Sequence, residues 1–122
     1  MNKDAKALES GPLESLFSGN ATAKILDFLI TFQDWDYSES DIAKNAGVSV
    51  RTVQREISKL ARYRLVTLTR TVGKAKMYKL EKSRKTGFFL EKLALALAGT
   101  QIEKMLPKDV KSMKKQLSMI KV

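Results

Sequence analysis

The chain has 122 residues, 43 % of them apolar, which is enough for one domain with a core plus an accessory helix, but not for two independent domains. It contains neither Cys nor His, which excludes disulfides, zinc sites built on thiolate or imidazole, and catalysis by Cys or His. The 23 Lys+Arg against 13 Asp+Glu give a net charge of +10, and residues 41 to 86 carry all of that excess, with 13 basic and three acidic side chains. Charge concentrated in this way calls for an anionic surface, either nucleic-acid phosphates or an acidic membrane.

Residues 1–12 read as a flexible leader ending at Gly11-Pro12, polar and without the apolar core of a signal peptide. Leu13, Leu16 and Phe17 are expected to form a short helical turn docked on the core. Asn20 is a good N-cap, and Ile25, Phe28, Leu29 and Phe32 follow at helical spacing, which predicts a helix over about 21–33. In the connector behind it, Trp35 and Tyr37 alternate with acids, a setting for a strand of two or three residues. Both rings are expected to pack under the later hairpin rather than to offer a stacking platform for single strands.

Ser38-Glu39-Ser40-Asp41 is a capping-box-like start for a helix reaching about Asn45, with Ile42, Ala43 and Ala46 inward. Gly47 supplies the positive φ of a tight turn and Ser49 caps the next helix, about 50–63. One face of that helix holds Val53, Ile57, Leu60 and Ala61, and the opposite face Arg51, Thr52, Arg55, Ser58, Lys59 and Arg62. From Leu65 the period becomes alternating: Val66 and Leu68, then Tyr78 and Leu80, face one way on either side of Val72-Gly73-Lys74-Ala75. This predicts a β-hairpin with a basic tip.

Beyond Ser83 the segment Phe88 to Ala98 is apolar on most of its circumference, with only Glu91 and Lys92 charged, and it is far shorter than the roughly 20 residues of a membrane span. A helix docked on one small domain needs an apolar stripe of only about 100°, so the remainder is expected to meet another partner, with Phe88, Phe89, Leu93 and Leu97 as dimer candidates. Gly99 is expected to end or kink this helix, and Pro107 to separate residues 83–106 from a basic amphipathic tail, 107–122, in which Val110, Met113, Leu117 and Ile120 repeat at helical spacing.

The stretch Asp41-Ile42-Ala43-Lys44-Asn45-Ala46-Gly47-Val48-Ser49-Val50-Arg51-Thr52-Val53-Gln54-Arg55-Glu56-Ile57-Ser58-Lys59-Leu60 is a helix-turn-helix pattern. Ala43 allows the two helices to cross closely, Gly47 makes the turn, and Val48 and Val53 fill the space between them. Together with the later Gly-Lys-Ala-Lys-Met-Tyr-Lys-Leu hairpin, residues 13–82 resemble a winged-helix domain. The likeness is to the small archaeal winged helix-turn-helix transcription regulators and the wider MarR-like and ArsR-like group. Glu56 departs from the pattern, because shorter repressors often carry an apolar residue there.

The resemblance implies a mainly α fold with a small β-hairpin, a three-helix core plus wing and a C-terminal helical extension. It implies double-stranded DNA binding, with the 50–63 helix in the major groove and the 70–76 wing on backbone or minor groove. Helix dimensions support this independently, since the N-terminal half of an inserted helix reaches base edges. Ser49, Arg51, Thr52 and Arg55 are therefore the candidates for base contact, and Lys44, Lys59, Arg62 and Arg64 for phosphates; Arg70, Lys74 and Lys76 belong to the wing. The expected protein is a soluble, cytoplasmic, nucleoid-associated homodimer that regulates transcription, with no cofactor and no metal; whether a small-molecule effector exists is open. A nonspecific architectural DNA-binding role, or a winged helix serving protein contacts in a transcription, replication or partition assembly, is the alternative. No phosphate-cradling Gly-rich loop, metal-ligand spacing or nucleophile elbow is present, so no catalysis is expected.

Overall fold

The computed structural model describes residues 11–103. The leader up to residue 10 and the proposed tail helix lie outside those residues. The elements in chain order are α1 (Pro12–Leu16), α2 (Ala21–Thr31), β1 (Tyr37–Ser38), α3 (Glu39–Ala46), α4 (Val50–Arg62), β2 (Val66–Val72), β3 (Ala75–Leu80) and α5 (Lys85–Glu103). Helices dominate, and the three short strands form one antiparallel sheet in the order β1-β3-β2.

Four helix starts are set by local chemistry. Pro12 opens α1, where its missing N–H costs nothing. The Asn20, Ser38 and Ser49 side chains accept from the N–H groups of Ala23, Asp41 and Thr52, satisfying donors that a helix N-terminus leaves unpaired. The free N–H groups in the first turn of α1 are met from a distance: the carboxylate of Asp27, on α2, accepts from the Leu13 N–H at 3.0 Å and the Glu14 N–H at 2.8 Å. Burial pushes Asp27 up from its ordinary value, and these two backbone donors pull the other way.

α2 is the central helix. All six side chains of Ile25–Ile30 are buried, so it is covered on every side rather than along a stripe. Around it Leu13, Ile42, Val53, Leu60 and Leu80 are fully buried, and one core joins α1, α2, α3, α4 and the base of the hairpin. Three expected core positions fall outside it. Phe32 is 54 % exposed because it sits at the C-cap of α2, its ring tilted against that of Phe28 with centroids 5.5 Å apart. Ala61 lies at the edge of the α4 stripe and is exposed. Leu68 is exposed because burial falls steadily from the base of the hairpin toward its tip.

The turn between α3 and α4 is built as expected: Gly47 has φ +74°, and Gly47 and Val48 both donate to the Ala43 carbonyl. The hairpin reverses over Gly73-Lys74, with φ +62° at Gly73, the position where a two-residue reversal accepts glycine. Thr69 is an extra residue, because Leu68 faces Tyr78 while Arg70 already faces Met77. Such a bulge increases local twist and changes the side to which the following residues point.

α5 continues through Gly99 to Glu103 instead of ending at that glycine. It docks through Gly87, Leu90, Ala94 and Leu97, a narrow stripe at 3-4-3 spacing. A Cβ at Gly87 would land on the Glu81 carbonyl, so this first turn sits directly on the end of β3. Phe88, Phe89, Leu93, Leu95 and Ile102 remain exposed on the rest of the helix. Leu97, expected on the outer face with Phe88, Phe89 and Leu93, is thus turned inward by the helical period.

Candidate nucleic-acid interface

On α4, Arg51, Arg55, Ser58 and Arg62 recur at 4-3-4 spacing and form one exposed stripe, opposite the buried Val53, Ile57 and Leu60. Ser49 and Thr52, at the head of the helix, are joined to each other: the Ser49 Oγ accepts from the Thr52 N–H at 3.1 Å and lies 2.8 Å from its hydroxyl. Gln54 is exposed beside Arg51 and Arg55. It carries no charge to mark it in the sequence, yet an amide in the first half of such a helix matches the two edge atoms of adenine.

Lys59 occupies the flank of this stripe and not its crest. Its Nζ is 2.7 Å from the Glu56 carboxylate and 3.3 Å from the Thr22 hydroxyl. Arg55 keeps 70 % of its side chain exposed while its Nε lies 3.5 Å from the other Glu56 oxygen. The Lys59 ammonium, more than any other group, holds Glu56 below its ordinary value, against the opposing effect of burial. Among the described residues no carboxylate lies within ion-pair distance of Lys44, Arg51, Arg62, Arg64, Lys74 or Lys76.

Arg64 ends α4 in an unusual way. Its φ is +60°, and the N–H groups of Arg64 and Leu65 close back on Ala61 and Leu60 at 3.1 and 3.0 Å. This left-handed cap normally takes glycine, as its counterpart does at Gly47, and a side chain there is strained by about 1–2 kcal/mol.

In the wing, Lys74 and Lys76 are exposed at and beside the tip. Arg70 is engaged elsewhere: its Nε and Nη2 donate to the two oxygens of Asp36 at 2.9 and 3.1 Å, and the Thr69 hydroxyl donates to the same carboxylate. The pair ties β2 to the connector before β1. The Arg70 guanidinium, with help from the Thr69 hydroxyl, lowers Asp36 to about 2. A depressed carboxylate contributes stability above its unfolded value of 3.8 and loses it as the pH falls through about 2. NMR titration of the Asp36 carboxyl is therefore expected to show a midpoint near 2, rising toward 3.8 in an Arg70→Ala variant; a wild-type midpoint near 3.8 would show that the pair does not form in solution.

The two connector aromatics part company. Tyr37 packs as expected, its ring 4.7 Å from that of Phe28 and its hydroxyl donating to the Phe32 carbonyl at 3.0 Å. Trp35 is 70 % exposed and does not pack under the hairpin, because strand pairing begins only at Tyr37.

The described residues hold no group of three or more Asp or Glu side chains placed for a metal ion, and no helix long and apolar enough to cross a membrane. An apolar cavity of about 330 Å³ lies between α1, α2 and α5, with Asn20 and Thr22 as its polar lining residues.

Neither a protein-family model nor a curated protein matches the chain. Solved structures do. A mutant of Staphylococcus aureus MepR bound to an oligodeoxyribonucleotide superposes with a TM-score of 0.59 at 21 % identity, over 89 % of this chain and 81 % of that one. MepR described as a transcription regulator of the S. aureus multidrug efflux pump MepA gives 0.56 at 21 % identity, over 89 % and 84 %. A Lactococcus lactis ZitR mutant in apo form gives 0.56 at 15 % identity, over 88 % and 86 %. The fold is a winged helix-turn-helix. In it α2, α3 and α4 are the three-helix core, β2 and β3 the wing, and α5 the C-terminal extension. These neighbours are bacterial, so the likeness is to the wider winged-helix group and not to the archaeal regulators in particular.

Proposed function

We propose that the chain is a sequence-specific, double-stranded-DNA-binding transcription regulator that works as a homodimer and catalyses no reaction. The observation that carries this reading is the exposed stripe of Arg51, Arg55 and Arg62 on α4, directly behind the Gly47 turn. An α-helix fits the major groove, and its first half reaches base edges. Arg51, Gln54 and Arg55 are the base-reading side chains in this proposal, with Ser49 and Thr52 at the head of the helix beside them. Lys44, Arg62, Arg64, Lys74 and Lys76 meet phosphates, and Lys59 and Arg70 contribute less because each is ion-paired within the chain. The MepR mutant bound to an oligodeoxyribonucleotide supports the same assignment by likeness of fold.

The exposed apolar face of α5 supports dimerisation, with Phe88, Phe89 and Leu93 as the contact and Leu97 reassigned to the core. A two-fold dimer places its half-sites about one helical turn apart on a palindrome. Phe89→Asp is expected to shift the protein from dimer to monomer in sedimentation without lowering its helix content, since Phe89 is 62 % exposed. A monomeric wild type would remove the dimer from the proposal.

Selection of the full chain against a random duplex library at near-physiological salt tests the function. An enriched palindrome is the expected result. Salt-sensitive binding without enrichment would instead identify an architectural protein, and absence of binding would assign the fold to protein contacts.

Arg64 provides a separate check, because its backbone favours glycine while its charge serves the proposed interface. Arg64→Gly is expected to leave stability unchanged or raise it by up to about 1 kcal/mol, and to make the salt dependence of DNA binding shallower by about one contact per subunit. Thermal denaturation and a salt titration on one preparation measure both.

A further inference from the structure

Glu56 is one departure of the sequence from the helix-turn-helix pattern, and it is the only acidic side chain on α4. It is buried, at 8 % exposure. Its Oε2 accepts from the Thr22 hydroxyl at 2.8 Å and from the Lys59 ammonium at 2.7 Å, and Lys59 also reaches the Thr22 oxygen at 3.3 Å. The donors and acceptors match: the single Thr22 proton goes to the carboxylate, and the Thr22 lone pair takes a Lys59 proton. Thr22 lies in the first turn of α2, so the carboxylate fastens the basic helix to the central helix of the core.

Two consequences follow for a helix that reads DNA. Two of the three Lys59 donors are engaged and the Glu56 carboxylate beside them offsets its charge, so this cation of the basic face contributes less to sequence-independent attraction. Arg55 is treated differently. Glu56 lies 3.5 Å from its Nε while 70 % of the side chain stays exposed, so the carboxylate engages the Nε edge of the guanidinium and none of the ion pairs uses its two terminal nitrogens. A bidentate contact to guanine O6 and N7 uses such a pair of donors.

We propose that Glu56 is a positioning residue for sequence discrimination: anchored on Thr22, it holds Lys59 off the phosphate backbone and orients the Arg55 fork toward base edges. The inference rests on the reading of α4 as the DNA-reading helix. An apolar residue at the same position would pack as well, release Lys59, and raise affinity for any duplex at the expense of selectivity.

The test is a salt titration of binding to two duplexes of equal length, the selected site and a scrambled one, for wild type, Glu56→Gln, Lys59→Gln and the double variant. Glutamine at 56 keeps a carbonyl acceptor for Thr22 and removes the charge. Glu56→Gln is expected to bind the scrambled duplex more tightly, with a salt slope steeper by about 0.9 per subunit, and to lose at least about fivefold in the ratio of selected to scrambled affinity. Lys59→Gln should leave the slope unchanged in the wild-type background and restore the wild-type slope in the Glu56→Gln background. An unchanged slope and ratio in Glu56→Gln would overturn the inference, as would a shallower slope in Lys59→Gln alone. That single lysine variant decides the matter if Glu56→Gln does not fold. Binding by wild type with no difference among variants removes only the role of Glu56; failure of wild type to bind either duplex removes the DNA-reading proposal and this inference with it.

Discussion

Replacing Leu60 with alanine is expected to lower the free energy of unfolding by about 2–5 kcal/mol. Leu60 is 2 % exposed, lies on the inner face of α4 and belongs to the core shared with α2 and the base of the hairpin. Truncation leaves a cavity that neighbours from three elements cannot fill, because α2 is already packed on every side. A domain of this size is stable by only about 5–15 kcal/mol, so the loss is a large fraction of the total. Denaturant titration should show a lower midpoint with an unchanged slope, the mark of altered stability and not of an altered unfolded state. Arg62→Ala, on the exposed face of the same helix, should stay within about 0.5 kcal/mol of wild type. A Leu60→Ala loss below about 1 kcal/mol would mean that α4 is not seated on this core.

The affinity for duplex DNA is expected to fall about 10³- to 10⁴-fold between 50 and 200 mM monovalent salt. In the proposed dimer the five cations with no ion-pair partner among the described residues, Lys44, Arg62, Arg64, Lys74 and Lys76, offer ten positive charges, and if about six to eight of them meet phosphates the slope of log K on log salt is about −5 to −7. Removing Lys74 should weaken all sequences alike and make that slope shallower by about one per subunit. Removing Arg51 should act mainly on discrimination between the selected and scrambled duplexes, by about 1–3 kcal/mol if its contact to guanine is bidentate. A slope near zero would show that charge does not drive the association, and equal loss of discrimination from Lys74 and Arg51 would remove the division between wing and helix.

Much of the local architecture was legible in the residues because its causes are local. Asn20, Ser38 and Ser49 cap helices through groups three residues away, Gly47 and Gly73 take backbone angles that other residues resist, and Val53, Ile57 and Leu60 repeat at the helical period. The basic stripe on α4 follows from the same period, read on its other side. Where the reading went astray, the deciding neighbour was distant in sequence or missing. Phe32 has the spacing of a core residue but sits past the last turn of α2, and Trp35 has the composition of one but precedes the first paired strand residue.

Propensity, capping and charge act over a few residues, and they suffice for the order of elements, the turns and the concentration of cations in residues 41 to 86. Which of those cations stay free of an internal ion pair depends on the packed fold. Asp36 claims Arg70 from 34 residues away, and Glu56 joins Lys59 to Thr22 across a comparable separation. The packing of the fold also makes Asp27 the cap of a neighbouring helix and leaves α5 burying only a narrow stripe. Those outcomes depend on which side chains the packed core brings within hydrogen-bonding distance, and a carboxylate is drawn to whichever donor desolvation leaves beside it.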